Sequence, residues 1–457
     1  MSHSETGVFS KERQPGTNAV LSHITEIAAP QDVIGLVCAA RRAGQPVFYW
    51  EKPGEHFAIA AVGSVWQSIA EGPSRFRAIT GAVRQLKSIL RVDSSSDWMT
   101  TPPLLGGFSF GHRAPVGATW RGFAAARIFL PELCIVRRNE RAALVRSTEI
   151  AANSDIDALA RRLAEPSTPW AARTLADESP PTHFEQQSTP SSEAWMRRVR
   201  QTVRSVRSGA FDKLVLAGSR RIVANRDFDL ETVLRTLRRH EAGCTIFCIS
   251  GGEADFVGAT PETLATLDNG VIETNAIAGT TRRGGNRDDD GALGHALEIS
   301  DKDRIEHAIV VRGLSDDLTP LCDSIRVAPQ PEILRLNNVQ HLRTAIRGHL
   351  RAERHVLDVV GALHPSAAVG GYPKEVAIEA LAAREELERG WYAAPIGWTN
   401  VDGDGEFAVA LRSGVLRGGV ATTFAGAGIV HNSDPHAELA EIDLKFGPMH
   451  AALTQSR

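Results

Sequence analysis

The sequence predicts a globular protein that mixes α-helices with β-strands, and three observations carry that prediction. Hydrophobic residues make up 42% and charged residues 23% of the 457 positions, which is ordinary for a chain with a packed core. The first part shows short β-like runs, such as PVFYW and FAIAAV, and one helical stretch around Phe76 to Leu90. From residue 193 onward, helical and strand-like segments alternate. Between the two parts, the segment 166–192 carries Pro166, Pro169, Pro180, Pro181 and Pro190 among Ser, Thr and Gln, and suits an exposed connection. The chain thus divides into 1–192, which includes that linker, and 193–457.

The first part opens on MSHSETGVFSKERQPGTN, a polar stretch with no apolar core of the kind a secretory signal needs. Its longest apolar stretch, near Phe57 to Trp66, is far too short to span a bilayer. Cys38, Cys134, Cys244, Cys248 and Cys322 are scattered, which suits a reduced, cytoplasmic setting better than a disulfide framework. Cys244 and Cys248 share a strand-like CTIFC, and no second pair follows at zinc-ligand spacing. The formal net charge of -3 offers no global basic field to nucleic acid or anionic lipid. A small anionic ligand must therefore be gripped by a local site.

After the linker, Ser192 is placed to cap a helix in which Trp195, Val199, Val203 and Val206 recur at helical spacing, with Gly209 ending it. FDKLVLAG then reads as a strand. Lys213 shares a face with Phe211, Val215 and Ala217, so it is either a snorkelling edge residue or a buried amine. A buried amine can serve as a general base. Glu262 follows Pro261 in FVGATPETL and sits in a turn after a strand, where either a solvated glutamate or a catalytic carboxyl belongs.

Ser300 caps the helix of SDKDRIEHAIVV, in which Ile305 and Ile309 form the apolar stripe and Glu306 borders it, three residues after Asp303. A carboxylate beside an apolar stripe needs a partner or a cation. Near the C-terminus, Asp434-Pro435 starts a last helix that puts Glu438, Glu441 and Lys445 on one stripe. That stripe is either a solvated face or half of a site. Two helices with two carboxylates each can hold a hard cation through oxygens, and magnesium takes one or two carboxylates plus waters and an anionic substrate. His307 reads as a packing or supporting residue.

EFAVALR reads as a strand closed by Arg412, with small Ala408 and Ala410 leaving room for a carboxylate against its guanidinium. TTFAGAGIV reads as a strand running into a glycine turn, where Gly426, Ala427 and Gly428 bring backbone N–H groups close to an anion. GGNRDDDG has neither a phosphate-loop lysine nor a dinucleotide fingerprint, so no nucleotide cofactor is expected.

Taken together and in order, FDKLVLAGSR, FVGATPETL, ETNAIAGTTRRG, SDKDRIEH, LHPSAAVGGYPKEVA, RGWYAAPIGW, GEFAVALRSG, FAGAGIV and the Glu438–Glu441–Lys445 helix resemble the chorismate-utilising enzymes over roughly residues 193 to 450. PVFYWEKPG, LLGGFSF and FLPELCIV look like the isochorismate synthase branch of that family.

The resemblance implies an α+β sandwich of large, mostly antiparallel sheets flanked by helices, with the N-terminal part completing the same body. It implies Mg2+ at Glu306 and Glu441, supported by Asp303 and Glu438, holding the ring carboxylate of chorismate. Lys213 matches the base that activates water for attack at C2, and Glu262 the acid that protonates the departing C4 hydroxyl. Arg412 and Tyr392 match positions near the enolpyruvyl carboxylate. Gly426, Ala427, Gly428 and Lys445 match the ring-carboxylate end, and His364 a pocket histidine. Ala278, Gly279 and Thr280 of AIAGT belong to the same pocket, and Ala278 stands where some aminodeoxychorismate synthases carry a nucleophilic lysine.

A lysine at position 213, where ammonia-using anthranilate-type relatives usually have glutamine, favours water as the nucleophile. The implied activity is thus conversion of chorismate to isochorismate, with no obligatory protein partner and with menaquinone and siderophore synthesis as the open destinations. Three other readings stand beside it: a salicylate synthase that also eliminates pyruvate, an ammonia-using synthase, and a non-catalytic chorismate-binding protein. Ala394 departs from the glycine common at its place, and its methyl is expected to narrow the pocket.

Overall fold

The computed structural model describes residues 19–454 except 31, 152, 166–182 and 353. The N-terminal peptide and most of the Pro-rich linker lie outside the described residues. Two large sheets dominate. The first has thirteen strands. Its path runs from the edge Phe184–Thr189 through Lys213–Ala224, Val420–Ile429, Ser413–Arg417, Ala254–Thr260 and Thr245–Gly251. It continues through Val47–Lys52, Phe57–Val62, Leu133–Arg138, Arg141–Glu149 and Val20–Ala28 to Leu90–Ser94. Strands from before and after the linker therefore meet inside one sheet, where Ile246 pairs with Glu51 and Ile249 with Phe48. The second sheet has ten strands, from Cys322–Val327 across Val339–Leu350, Val271–Arg282, Thr263–Asp268 and Gly405–Val409 to the N-terminal strands Leu104–Phe108, Ala126–Leu130 and Trp66–Ala70.

Pairing is antiparallel throughout the described ladders except between Val20–Ala28 and Leu90–Ser94, which run parallel. Ten α-helices among the described residues flank the sheets. The α+β sandwich is thus the architecture.

The main core joins inward faces of both sheets, with Phe48, Trp50 and Phe256 from the first and Phe108 and Phe407 from the second. A second cluster sits under the helices Val33–Arg42 and Leu230–His240. A third lies under Ser192–Arg207 and Pro435–Thr454, around Trp195, Val199, Ile442 and Phe446.

Several local expectations are corrected. The cap of helix Ser192–Arg207 is Ser191, whose side chain accepts from the Ala194 N–H; Ser192 is already helical. The linker's end is not a loose connection, because Phe184–Thr189 adds an edge strand to Lys213–Ala224. That strand is almost wholly exposed, so it is held by its backbone ladder and shows no hydropathy signal.

The strand expected to close on Arg412 stops at Val409. Arg412 sits in the connection to Ser413–Arg417 with a left-handed φ of 46°. Gly426 and Gly428 are not in a turn: they lie inside strand Val420–Ile429, paired with Ala217 and Val215. Phe211 precedes the strand that starts at Lys213 and packs in the third cluster, away from the lysine's face. In helix Asp301–Leu318 the stripe is also rotated: Ile305 is 38% exposed, while Glu306, His307 and Ile309 are buried.

Candidate active site

Lys213, Val215, Gly426 and Gly428 from the first sheet face Ala278, Gly279, Thr280 and His341 from the second across one chamber. Glu262, from the Pro261 turn between strands Ala254–Thr260 and Thr263–Asp268, enters the same space. So do Glu306, Tyr392, Arg412 and Lys445. The chamber has about 80 Å³ of free volume, and the flexible Lys445 forms part of its wall.

Lys213 is 1% exposed and its Nζ lies 3.0 Å from Glu306 Oε1. Gly428 makes the room for this pair. A Cβ there would lie 2.2 Å from Glu306 Oε1 and 2.5 Å from Lys213 Cε. At Gly426 a Cβ would lie 3.0 Å from the Tyr392 hydroxyl. The Tyr392 ring stacks on Phe424 with centroids 5.3 Å apart. The Ala427 side chain points the other way, into the third cluster, as alternation along the strand requires.

Glu262 is 5% exposed. Burial raises its carboxyl to about 7, more than the positive charges of Lys213 and Lys445 lower it. A carboxyl in that range is a proton donor near neutral pH.

Arg412 donates from Nη2 to His341 Nε2 at 2.8 Å. A guanidinium only donates, so Nε2 accepts and Nδ1 carries the proton, which it gives to Gly279 O at 3.1 Å. Burial, reinforced by Arg412 and Lys445, holds His341 well below the ordinary imidazole range. Gly279 has φ 77° at a bulge in its strand and sits against Asp303.

Beside the chamber, helices Asp301–Leu318 and Pro435–Thr454 bring four carboxylates around Lys302. Its Nζ lies 3.1 Å from Glu438, 3.5 Å from Glu306, and 3.8 Å from both Asp303 and Glu441. Lys445 adds 2.7 Å to Glu441 and 3.0 Å to Gly426 O. Burial pushes Glu438 up to about 7, with Glu441 and Glu306 adding repulsion. Burial would also raise Glu306, but the ammonium groups of Lys213, Lys302 and Lys445 prevail and hold it at about 2.

Both Glu438 oxygens and Glu306 Oε2 are buried without an aligned hydrogen-bond donor. Three lysines oppose four carboxylates, so the cluster keeps an excess of negative charge that suits a hard cation. No closed cage of three ligands is preformed among the described residues. Lys302 stands between the carboxylates instead, and a magnesium ion that keeps several waters needs only one or two of them.

Two expectations are displaced. His364 does not line the chamber: Nε2 donates to Phe110 O at 3.1 Å and the ring packs edge-on against Phe110, facing a neighbouring cleft. Ala368 and Val369 of the same turn line the chamber in its place. Ala394 is fully buried behind the wall, which Ala393 forms with φ 60°, so its methyl does not narrow the space. His307 is a packing residue, its Nε2 2.7 Å from Thr344 Oγ1.

Sequence reasoning did not single out His341, Arg389 or Lys302. Lys302 had a signal, the i,i+4 spacing to Glu306. His341 lies inside a strand where nothing local marks it. No described helix is long and apolar enough to cross a membrane, and all five cysteines are buried and free.

Comparison with known proteins identifies the family. The family described as Chorismate binding enzyme matches residues 7–454. The salicylate biosynthesis isochorismate synthase of Pseudomonas aeruginosa is 36% identical over 463 residues, covering 99% of this chain and 94% of that protein. Isochorismate synthase MenF of Bacillus subtilis is 30% identical, covering 90% and 88%. The structure of MenF, the menaquinone-specific isochorismate synthase from Escherichia coli, superposes with a TM-score of 0.80 at 26% identity, over 96% of each chain. The chain therefore belongs to the chorismate-binding enzyme family.

Proposed function

We propose that the chamber converts chorismate to isochorismate, with Lys213 as base and Glu262 as acid. One observation carries the reading: a buried amine on a strand and a buried carboxyl on a turn enter a single chamber beside a cluster in which carboxylates outnumber lysines. The relatives named above as isochorismate synthases span nearly the whole chain, which supports the same activity.

Lys213, acting as the neutral amine after its ammonium proton has left, takes a proton from the water that bonds to C2. Both ring double bonds shift, the C4–O bond breaks, and Glu262 gives its proton to the departing hydroxyl, so one water enters and one leaves. The carboxyl held near 7 by burial suits the donor. Arg412 and Tyr392 receive the enolpyruvyl carboxylate. Lys445 and the open backbone at Gly426 and Gly428 receive the ring end. Magnesium, held by Glu306 and Glu441 with Asp303 and Glu438 in support, would fix the ring carboxylate and withdraw charge from it.

The test is chromatography of the product from chorismate and magnesium without ammonia. Isochorismate as the accumulating product supports the reading. Salicylate with pyruvate, or turnover only with ammonia, contradicts it.

A further inference from the structure

A cleft of about 590 Å³ lies beside the chamber, on the other side of Arg389. Its walls are the start of helix Arg75–Ile89, the segment 109–115, the turn after Leu363 and helix Lys374–Arg384.

The cleft holds two uncompensated positive features. Arg75 is 6% exposed. Its Nη2 donates to Ser109 O at 3.3 Å, its Nε has no partner, and its guanidinium lies over the Phe76 ring. Burial lowers its basicity to about 10, with no carboxylate among the described residues countering it. A buried guanidinium without an acid is costly unless a ligand supplies one. Arg75 is also the first residue of a fifteen-residue helix whose Ser74 makes no side-chain cap and whose first turn holds no acid. The Arg75 N–H is given to Gly72 O, and the N–H groups that follow it lie at the positive end of the helix without a side-chain cap.

The acids on the wall are already engaged. Glu385 pairs with Arg389 at 2.6 Å, and Glu388 accepts from the N–H groups of Val116 and Gly117 at 2.8 Å each. His364 is held neutral, down to about 3, by burial and then by Arg75.

We propose that this cleft is a second binding site, for a small ring-bearing monocarboxylate. The carboxylate meets Arg75 and the helix start, and the ring rests against Phe110 and His364, since Phe76 is already stacked on Phe108 and covered by Arg75. The site is linked to the chamber through Arg389. That residue lies over Phe110 and donates at 2.7 Å to the carbonyls of Val215 and Val369, both chamber walls. This inference does not depend on the reaction assigned to the chamber.

Isothermal titration of the full chain with benzoate as probe tests it. Wild type binds benzoate. Arg75→Gln weakens binding by about tenfold or more, the loss of one charge-assisted bidentate contact. Ala382→Trp, which fills the exposed rim of the cleft, abolishes it and decides the matter should the Arg75 variant not fold. Arg412→Ala, in the chamber, leaves it unchanged. No binding by wild type, or binding lost in Arg412→Ala and kept in Ala382→Trp, overturns the proposal.

Discussion

Lys213 Nζ lies 3.0 Å from Glu306 Oε1, and both groups are buried. This ion pair joins the position assigned to the base with the position assigned to the cation. One carboxylate thus governs two functions, since whatever neutralises Glu306 from its other side releases the lysine.

Lys213→Ala is expected to lower turnover of chorismate by about 10²- to 10⁴-fold, the usual worth of a positioned base. Glu306 keeps Lys302 at 3.5 Å, so the fold survives the loss of one partner. Steady-state rates with a thermal melt check both halves. Wild-type turnover in a folded variant contradicts the assignment.

Glu262→Gln keeps the shape and removes the proton. A loss of similar size is expected, about 10²- to 10⁴-fold. In the wild type the rate falls as pH rises through about 7, where the raised carboxyl loses its proton. The same group makes stability depend on pH. Its folded pKa exceeds the ordinary 4.5, so its contribution is complete below 4.5 and is lost as pH rises through about 7. A pH–rate profile flat across that range contradicts the acid role.

Lys302 competes with any cation for the same four carboxylates. Lys302→Gln is expected to melt lower than wild type without metal, because carboxylate repulsion goes unopposed, and to gain more in Tm on adding magnesium. Melts with EDTA and with magnesium measure both shifts. In the wild type, EDTA abolishes turnover and magnesium restores it. An equal or smaller magnesium gain in the variant contradicts the competition.

Gly428→Ala puts a methyl 2.2 Å from Glu306 Oε1 and 2.5 Å from Lys213 Cε. The strand conformation tolerates alanine, so the clash falls on the ion pair. A destabilisation of about 1–3 kcal/mol is expected, together with a loss of turnover that exceeds it. Denaturant melts and rates separate the two effects. Wild-type behaviour in both contradicts the role given to Gly428.

Much of the site is legible in the sequence because its residues sit at fixed offsets within short segments. Lys213, Glu262, Glu306, Arg412 and Lys445 all line one chamber. The errors have separate physical causes. Hydropathy assumes that apolar residues turn inward, but this site buries charge: in SDKDRIEH the acid and histidine go in and Ile305 goes out. Helix periodicity therefore selects the wrong face. The edge strand Phe184–Thr189 is hidden for the opposite reason, since its stability lies in backbone pairing with Lys213–Ala224. His341 reaches the chamber through the pairing of its strand with Val271–Arg282, while His364, at the end of helix Val356–Leu363, is turned away by its hydrogen bond to Phe110 O; neither contact is local in sequence.

Mass spectrometry of isochorismate formed in ¹⁸O-enriched water tests most directly whether solvent is the nucleophile that Lys213 activates. One heavy oxygen at C2 is the predicted result; unlabelled product, meaning that the original hydroxyl migrates within the ring, would contradict it.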